Sequence, residues 1–219
     1  CADCAGVPNG DSVDLGCGLH VGVPIISSPM DTVTEDAMSM AMAESGGLGI
    51  IHRYNSVNEQ AHIVQKASSH GRYHVGAAIG VTGDYKDRAA ACFEAGATFI
   101  CVDVAHGHHV LMENALRNLR LEFGESCHIM AGNVATLDGF NQLADWGATS
   151  VRVGIGGGSI CSTRIQTGHG IPTLQSVIDC AKSDRDASII ADGGIKNSGD
   201  IVKALAAGAD SVILGSLLS

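Results

Sequence analysis

The residues best suited to chemistry in this chain are a cysteine and the glycine-rich turn that precedes it. Residues 151–155 are β-branched and apolar apart from Arg152, which predicts a strand, and three glycines follow at 156–158. Because glycine has no Cβ, the backbone N–H groups of such a turn can face a bound phosphate. Cys161 comes next, where the dipoles of nearby amides would favour the nucleophilic thiolate. One turn could therefore hold an anion and attack the molecule that carries it.

The same segment allows two other interpretations. A tight turn after a buried strand, with an inert cysteine, is the commoner explanation of a lone glycine cluster, so the chemical interpretation needs other segments that converge on it. A dinucleotide-binding G-x-G-x-x-G fingerprint does not fit, because Ser159 occupies the position of its third glycine.

The bulk composition narrows the class of protein. The chain has 219 residues and a net charge of −10, which suits one domain and argues against nonspecific binding of nucleic acid. No apolar run reaches the length of a membrane span, and no signal peptide precedes the first strand. We therefore expect a soluble, cytoplasmic protein.

The eight cysteines do not require disulfides. Four of them fall inside apolar helix and strand patterns, which is typical of reduced core thiols: Cys92, Cys101, Cys127 and Cys180. The pair Cys1 and Cys4 has no second pair at zinc spacing, so we interpret residues 1–22 as a flexible N-terminal segment.

A repeated pattern predicts the fold. Residues 94–103, 145–154 and 207–215 each contain a helix end, a glycine C-cap and a strand. Five similar strands bring the total to eight, at residues 24–28, 48–52, 74–79, 128–131 and 188–191. Eight apolar strands that alternate with helices, without a linker, predict a single-domain α/β protein, a closed parallel (β/α)8 TIM barrel over residues 23–219.

Helix start signals support the alternation. Residues 32–35 and 56–59 both fit a capping box, Pro172 suits a first helical turn, and Asn197 or Ser198 can cap the last helix.

Polar residues cluster where such a barrel places its chemistry, at the carboxyl ends of the strands. Beside the cysteine turn after strand six, they occupy residues 27–31, 103–108, 132–133, 192–194 and 215–216. The glycine-bearing loops after strands six, seven and eight are neighbours in a barrel, so together they predict one phosphate site.

Five segments stand out from residue 23 onward: Pro24-Ile-Ile-Ser-Ser-Pro-Met-Asp-Thr-Val-Thr-Glu35, Gly47-Leu-Gly-Ile-Ile-His52, Ala131-Gly-Asn-Val-Ala-Thr136, Gly156-Gly-Gly-Ser-Ile-Cys-Ser-Thr-Arg164 and Ala191-Asp-Gly-Gly-Ile-Lys-Asn-Ser-Gly-Asp-Ile-Val-Lys-Ala-Leu-Ala-Ala-Gly-Ala-Asp210. Together they resemble the inosine monophosphate dehydrogenase and guanosine monophosphate reductase family. Five motifs in the same order are highly specific.

The resemblance implies roles for individual residues. It implies that Cys161 attacks C2 of the purine and that Asp103, with Gly154, meets a nicotinamide cofactor. The residues implied to hold the nucleotide are Ser28, Met30, Ser159, Asp192, Gly194, Gly215 and Ser216. It further implies a potassium ion on the backbone carbonyls of Gly156, Gly158 and Cys161, and a homotetramer.

Chemical reasoning agrees with these roles. A thiolate next to the electron-poor purine C2 forms a tetrahedral adduct that can release hydride to a nicotinamide, and Asp192 can accept two hydrogen bonds from a ribose diol. Thr163 could relay a proton near the sulfur. Asn133 and Arg152 could orient the cofactor or the covalent intermediate, although Arg152 could equally pair with a barrel carboxylate.

The direction of the reaction is the harder choice. Residues 27–35, 105–108 and 191–200 look more like dehydrogenases, which favours NAD-dependent oxidation of inosine monophosphate to xanthosine monophosphate in guanine nucleotide biosynthesis. Residues 51–79 run on without the inserted pair of regulatory (CBS) modules that dehydrogenases usually carry, which favours an NADPH-dependent guanosine monophosphate reductase. The flap after strand eight and the last helix, which would discriminate, do not occur in this sequence.

Three further interpretations remain open. The barrel could bind purine nucleotides without catalysis, with Cys161 inert, or it could use its phosphate loops for unrelated chemistry. His106, His108 and His109 could suggest a metal site, but their spacing on a loop without a pair of carboxylates is more typical of a polar loop.

Overall fold

A computed structural model of the chain describes residues 12–69, 74–158, 161 and 163–219. In this part of the chain the strands are β1 (Val13–Asp14), β2 (His20–Val21), β3 (Ile25–Ser27), β4 (Leu48–Ile51), β5 (Val75–Ile79), β6 (Phe99–Asp103), β7 (His128–Val134), β8 (Ser150–Val153), β9 (Ser188–Asp192) and β10 (Ser211–Leu214). The helices are α1 (Asp36–Glu44), α2 (Val57–Ser68), α3 (Tyr85–Glu94), α4 (Val110–Phe123), α5 (Leu137–Asp145), α6 (Thr163–Thr167), α7 (Thr173–Cys180) and α8 (Ser198–Ala206).

Strands β3 to β10 form a closed, parallel, eight-stranded barrel, which confirms the predicted fold class. Each strand pairs with the next one along the chain, and β10 returns to β3 with Val212 opposite Ile25. The strands are nearly continuous apolar runs because one face of each lines the barrel and helices cover the other. Strand β5, for example, is buried at all of its five positions.

Small and large side chains alternate inside the barrel. Phe99 and Cys101 of β6 belong to the interior cluster, whereas Ile100 and Val102 pack in the outer layer with the helices. Phe99 needs the space that Gly76 of the neighbouring strand leaves, since a Cβ on that glycine would lie 2.2 Å from the ring. This glycine is therefore required by packing.

A short hairpin closes the amino-terminal end of the barrel. Strands β1 and β2 pair antiparallel, and Leu15, Leu19 and Val21 of this hairpin are at most 3% exposed within the interior cluster. The sequence analysis assigned residues 1–22 to a segment apart from the barrel, but the described part of that segment contributes to the barrel's core. The Cys1 and Cys4 pair lies outside the described residues.

The helix starts confirm some predictions and correct one. The side chains of Ser56 and Glu59 form the predicted capping box, and Asn197 accepts a hydrogen bond from the amide of Asp200 at 3.0 Å. The predicted capping box at residues 32–35 is wrong, because α1 begins at Asp36 without a side-chain cap. The Thr34 hydroxyl instead donates to the carbonyl oxygen of Ser28 at 2.6 Å.

Within the described ranges, no helix is both long enough and apolar enough to cross a membrane.

His128 fastens the hairpin to the barrel. Its ring Nδ1 lies 3.0 Å from the carbonyl oxygen of Gly16, so this nitrogen carries the proton, and Nε2 lies 2.9 Å from Ser150 Oγ. Burial lowers the pKa of His128 from 6.5 to about 4, against a smaller opposing effect of the Gly16 carbonyl. The imidazole is therefore neutral in the folded protein across the physiological range.

We predict that His128 makes the stability of the fold dependent on pH. Between pH 6.5 and about 4, His128 becomes protonated in the unfolded chain but stays unprotonated in the folded protein. The free energy of unfolding therefore decreases as the pH falls, by up to about 3 kcal/mol. Urea unfolding at a series of pH values measures this slope. His128→Gln should flatten it, and exposed His62→Gln should retain it; an unchanged slope in His128→Gln would refute the assignment.

Candidate functional site

A buried arginine joins two carboxylates at the carboxyl ends of the strands. Arg152 of β8 is 5% exposed. Its Nη1 donates to Asp103 Oδ1 at 2.6 Å, and its Nη2 donates to Asp192 Oδ2 at 2.6 Å. Burial alone would lower the pKa of Arg152, but the charges of Asp192 and Asp103 outweigh it and raise that pKa well above its ordinary value. Of the two roles considered for Arg152, the structure thus shows pairing with barrel carboxylates.

Asn133 completes this cluster from β7. Its side-chain amide donates to Asp192 Oδ2 and to the carbonyl oxygen of Gly154, both at 2.8 Å. Asp192 is the last residue of β9, and its Oδ2 accepts hydrogen bonds from both Arg152 and Asn133. A carboxylate held on one oxygen is well suited to accept hydrogen bonds from hydroxyl groups on the other.

Next to Asp192 lies a cavity of about 160 Å³ between the loops after β3, β8, β9 and β10. The predicted nucleotide-binding residues that line it are Ser28, Met30, Asp192, Gly194, Gly215 and Ser216. The structure therefore brings together residues that are almost 190 positions apart in sequence. Asn133 and Arg152 do not line the cavity and reach it through Asp192.

Glycines form the wall of this cavity because two loops touch backbone to backbone. A Cβ on Gly193 would lie 2.9 Å from the amide nitrogen of Gly158, and Gly194 adopts a φ of +81°. At the base of the loop, Gly154 approaches the Asp192 carbonyl so closely that a Cβ there would lie 1.9 Å from the oxygen. Only glycine allows this approach, which leaves backbone amides as the groups that can face an anion.

Cys161 lies at the edge of the same turn. The residue is half-buried, and its backbone amide donates to the carbonyl oxygen of Gly158 at 3.2 Å. Gly158 also lines the cavity, so the cysteine follows the cavity wall directly. Ser159 and the side chain of Thr163 lie outside the described residues.

Four other cysteines of the barrel are buried or partly buried. Cys92, Cys101, Cys127 and Cys180 are all free, which agrees with the prediction of reduced thiols. Burial raises the pKa of Cys92 to about 12 and the pKa of each of the other three to about 11. These four thiols therefore remain protonated and unreactive near neutral pH.

Arg53 is a site residue that the sequence analysis missed. It follows β4, and its Nη2 donates to the carbonyl oxygen of Asp103 at 3.3 Å, while its Nε lies 4.0 Å from the Asp103 carboxylate. That Nε is buried and has no hydrogen-bond partner among the described residues. Its position at the carboxyl end of a barrel strand was the available signal, since catalytic residues of such barrels lie there.

A larger cavity, of about 470 Å³, lies between α7 and α8 and is lined by residues such as Arg164, Thr173 and Lys203. Its lining does not include Asp192, the carboxylate through which the buried cluster of Arg152 and Asn133 reaches the smaller cavity. A buried ion-pair network next to a cleft marks a candidate functional site better than volume alone does. We therefore assign the candidate site to the smaller cavity.

Two of the three neighbouring histidines, His108 and His109, make local hydrogen bonds. His109 Nδ1 accepts a hydrogen bond from the amide of Leu111 and so caps α4, and His108 Nε2 lies 3.2 Å from Gln142 Oε1. Across the residues that the structure describes, no group of three His, Cys, Asp or Glu side chains is placed to hold a metal ion.

Replacing Arg152 is predicted to destabilise the fold strongly. In Arg152→Met two carboxylates lose their shared cation in a buried place, which costs roughly 3–5 kcal/mol of unfolding free energy. Urea unfolding measures this loss. The matched control is Arg185→Met, which removes a surface arginine that also bridges two carboxylates, Asp145 and Asp184. The control should leave the midpoint unchanged; equal midpoints for both variants would contradict the prediction.

Comparison with known proteins gives independent findings. A sequence profile described as the IMP dehydrogenase / GMP reductase domain matches residues 11–219. The chain is 44% identical to an inosine-5'-monophosphate dehydrogenase of Nitrosopumilus maritimus, over 93% of this chain and 69% of that protein. It is 51% identical to the corresponding dehydrogenase of Halalkalibacterium halodurans, over 69% of this chain and 31% of that protein. It is 47% identical to a GMP reductase of Leishmania major, over 69% of this chain and 31% of that protein.

Proposed function

The chain belongs to the IMP dehydrogenase / GMP reductase family, and from that premise we propose that it oxidises inosine monophosphate to xanthosine monophosphate with NAD. The observation that supports this proposal is the cavity walled by glycines: Asp192, held by Arg152 and Asn133, lines it, and Gly158 of its wall is hydrogen-bonded to Cys161. The proposed sugar site, anion site and nucleophile would thus adjoin one another.

The proposed binding of the nucleotide follows from these groups. The ribose hydroxyls donate to Asp192, whose other oxygen is held by Arg152 and Asn133. The phosphate accepts hydrogen bonds from amides of Gly194 and of the turn at Gly215, since the Cβ-free backbone lets the anion approach. Ser28, Met30 and Ser216 line the remaining wall, and Ser159 is proposed to donate from the cysteine turn.

The proposed reaction has two steps at Cys161. In the first, the thiolate sulfur bonds to C2 of the purine, and C2 then loses hydride with its electron pair; the nicotinamide ring, when bound, supplies the acceptor for that hydride. In the second, water adds to C2, the carbon–sulfur bond breaks, and xanthosine monophosphate leaves as the thiol is restored. Thr163 is proposed to relay the proton that the thiol gives up and regains.

Asp103 and Arg53 form the proposed cofactor edge. The Asp103 carboxylate is held by Arg152 on one oxygen and lies 4.0 Å from Arg53 Nε with the other. The Arg53 guanidinium lies next to Gly80, and its buried Nε–H has no hydrogen-bond partner among the described residues. A cation with a spare donor is well suited to bind a phosphate group of the cofactor. Gly154, the other proposed cofactor residue, lies against the Asp192 carbonyl and accepts a hydrogen bond from Asn133. Because Arg152 binds both carboxylates, it sets the cofactor edge relative to the ribose site.

Guanosine monophosphate reductase is the second candidate. The 47% identity to the reductase of Leishmania major, over the same share of the chain as the 51% identity to a dehydrogenase, favours it as the alternative. Both reactions would use the same cysteine and the same nucleotide site.

Cys161→Ala is predicted to abolish turnover and to leave nucleotide binding largely intact, because the sulfur forms the covalent bond whereas other groups hold the ribose and phosphate. Steady-state assays and calorimetry with inosine monophosphate measure the two effects. Cys180→Ala, a buried cysteine of α7, is the control and should keep wild-type turnover. Turnover by Cys161→Ala would eliminate the covalent mechanism.

We predict that the full-length protein forms NADH from inosine monophosphate and NAD faster than it releases ammonia from guanosine monophosphate with NADPH. Potassium should stimulate the oxidation, because carbonyl oxygens such as those of Gly156, Gly158 and Cys161 are the donors that a potassium ion prefers. Absorbance of NADH and an ammonia assay measure the two rates. A faster release of ammonia would show instead that the reductase is the correct member of the pair.

A further inference from the structure

Arg88 is a buried cation that the proposed reaction does not use. It lies on α3, is 7% exposed, and is on the helical layer outside the barrel. Its Nη1 donates to Gln60 Oε1 at 2.8 Å, and its Nη2 donates to the Asn55 carbonyl at 3.0 Å and to Asp84 Oδ2 at 2.8 Å. A guanidinium can hold three such partners at once because its donors lie in one rigid plane.

Gln60 extends this network to the barrel wall. Its side-chain amide donates to the carbonyl oxygens of Ile51 at 3.3 Å and Ala78 at 2.8 Å, at the ends of β4 and β5. Gln60 is fully buried, so each of these bonds replaces contact with water. The network therefore connects α2 and α3 to the ends of two neighbouring strands.

The network holds two loops at the carboxyl face of the barrel. Asn55 belongs to the loop at residues 52–56, which follows β4 and carries Arg53. Asp84 ends the loop at residues 80–84, which follows β5. Asp84 stands at the start of α3 but makes no side-chain cap bond there, because its carboxylate binds Arg88. One guanidinium thus sets both loops relative to each other.

These loops place Arg53 at the cofactor edge. The Arg53 guanidinium packs against Gly80, 3.6 Å from where a Cβ would stand, and donates to the carbonyl oxygen of Asp103. Besides Asp103, its charge faces Asp84 at a longer range and the exposed ring of Tyr54, 5.7 Å away. Within the part of the chain that the structure describes, Arg53 makes one side-chain hydrogen bond, to the Asp103 carbonyl, so its position depends on the loops that carry it and flank it.

Resting on the proposed function, we propose that Arg88 is a positioning residue for the nicotinamide cofactor, which acts by holding residues 52–56 and 80–84 so that Arg53 faces the cofactor edge at Asp103. Arg88 does not touch the cofactor. It contributes to cofactor binding only through Arg53.

A double-mutant cycle tests this role. Arg88→Lys, which cannot bind all three partners, should weaken cofactor binding about tenfold in the wild-type background and less than about twofold in the Arg53→Gln background. Calorimetry with NAD measures these dissociation constants on full-length protein that also carries Cys161→Ala, so that no turnover occurs, and that is saturated with inosine monophosphate; the affinity for the nucleotide should change less than about twofold. Independent, additive effects, or an equal loss of nucleotide affinity, would overturn the proposal.

Two further variants keep the test decisive. Asp84→Asn changes the half-exposed partner of Arg88, and it should show the same dependence on Arg53, with a smaller loss, even if Arg88→Lys does not fold. Arg120→Lys is the matched control, since this buried arginine binds the carbonyls of Gly147 and Cys127 at the opposite end of the barrel. It should lower thermal stability without changing cofactor affinity; a loss equal to that of Arg88→Lys would overturn the proposal.

The wild-type protein separates this proposal from the proposed function. A wild-type protein that binds neither NAD nor NADPH would refute both. Cofactor binding and turnover in the wild type, with an additive cycle, would refute only the role of Arg88.

Discussion

The candidate site depends on one buried cation shared by two carboxylates. Removing Arg152, Asp103 and Asp192 from water is costly, and the cost is offset only because the guanidinium bonds directly to both carboxylates and Asn133 adds a further donor. These residues come from β6, β7, β8 and β9, so the cluster fixes four strand ends relative to one another. A rigid arrangement of this kind is what a site needs to hold two ligands in a productive geometry.

The glycine turns complement this charged cluster. Asp192 and Lys196 bring charge to the lining of the cavity, whereas the wall formed by Gly158, Gly193 and Gly194 offers only backbone groups. Close contact between the loops after β8 and β9 leaves no room for a Cβ, and Cys161 is hydrogen-bonded to Gly158 of the same wall. The proposed anion site and the proposed nucleophile thus depend on the same backbone packing.

The two ends of the barrel have different tasks. At the amino-terminal end, the hairpin buries Leu15 and Leu19 in the barrel interior. The neutral ring of His128 and the guanidinium of Arg120 both donate hydrogen bonds to backbone carbonyls there, so these residues contribute to stability. At the carboxyl end, the barrel instead contains the buried charges of Arg152 and its two carboxylate partners, and glycines form the neighbouring loops. This division is expected of parallel barrels, in which loops after the strands vary while the opposite end is packed.

The sequence by itself determined the barrel and the candidate nucleophile, because strands buried on both faces are continuous apolar runs and a glycine turn before Cys161 is a local pattern. Tertiary structure decided what Arg152 binds, since Asp103 and Asp192 lie 49 and 40 positions away and only strand register brings them together. It also decided that α1 begins at Asp36 without a side-chain cap, and not with the capping box predicted at residues 32–35. For Arg53 the sequence offered only its position after β4, and for Arg88 it offered no local signal, because a guanidinium's partners are set by packing between loops and helices.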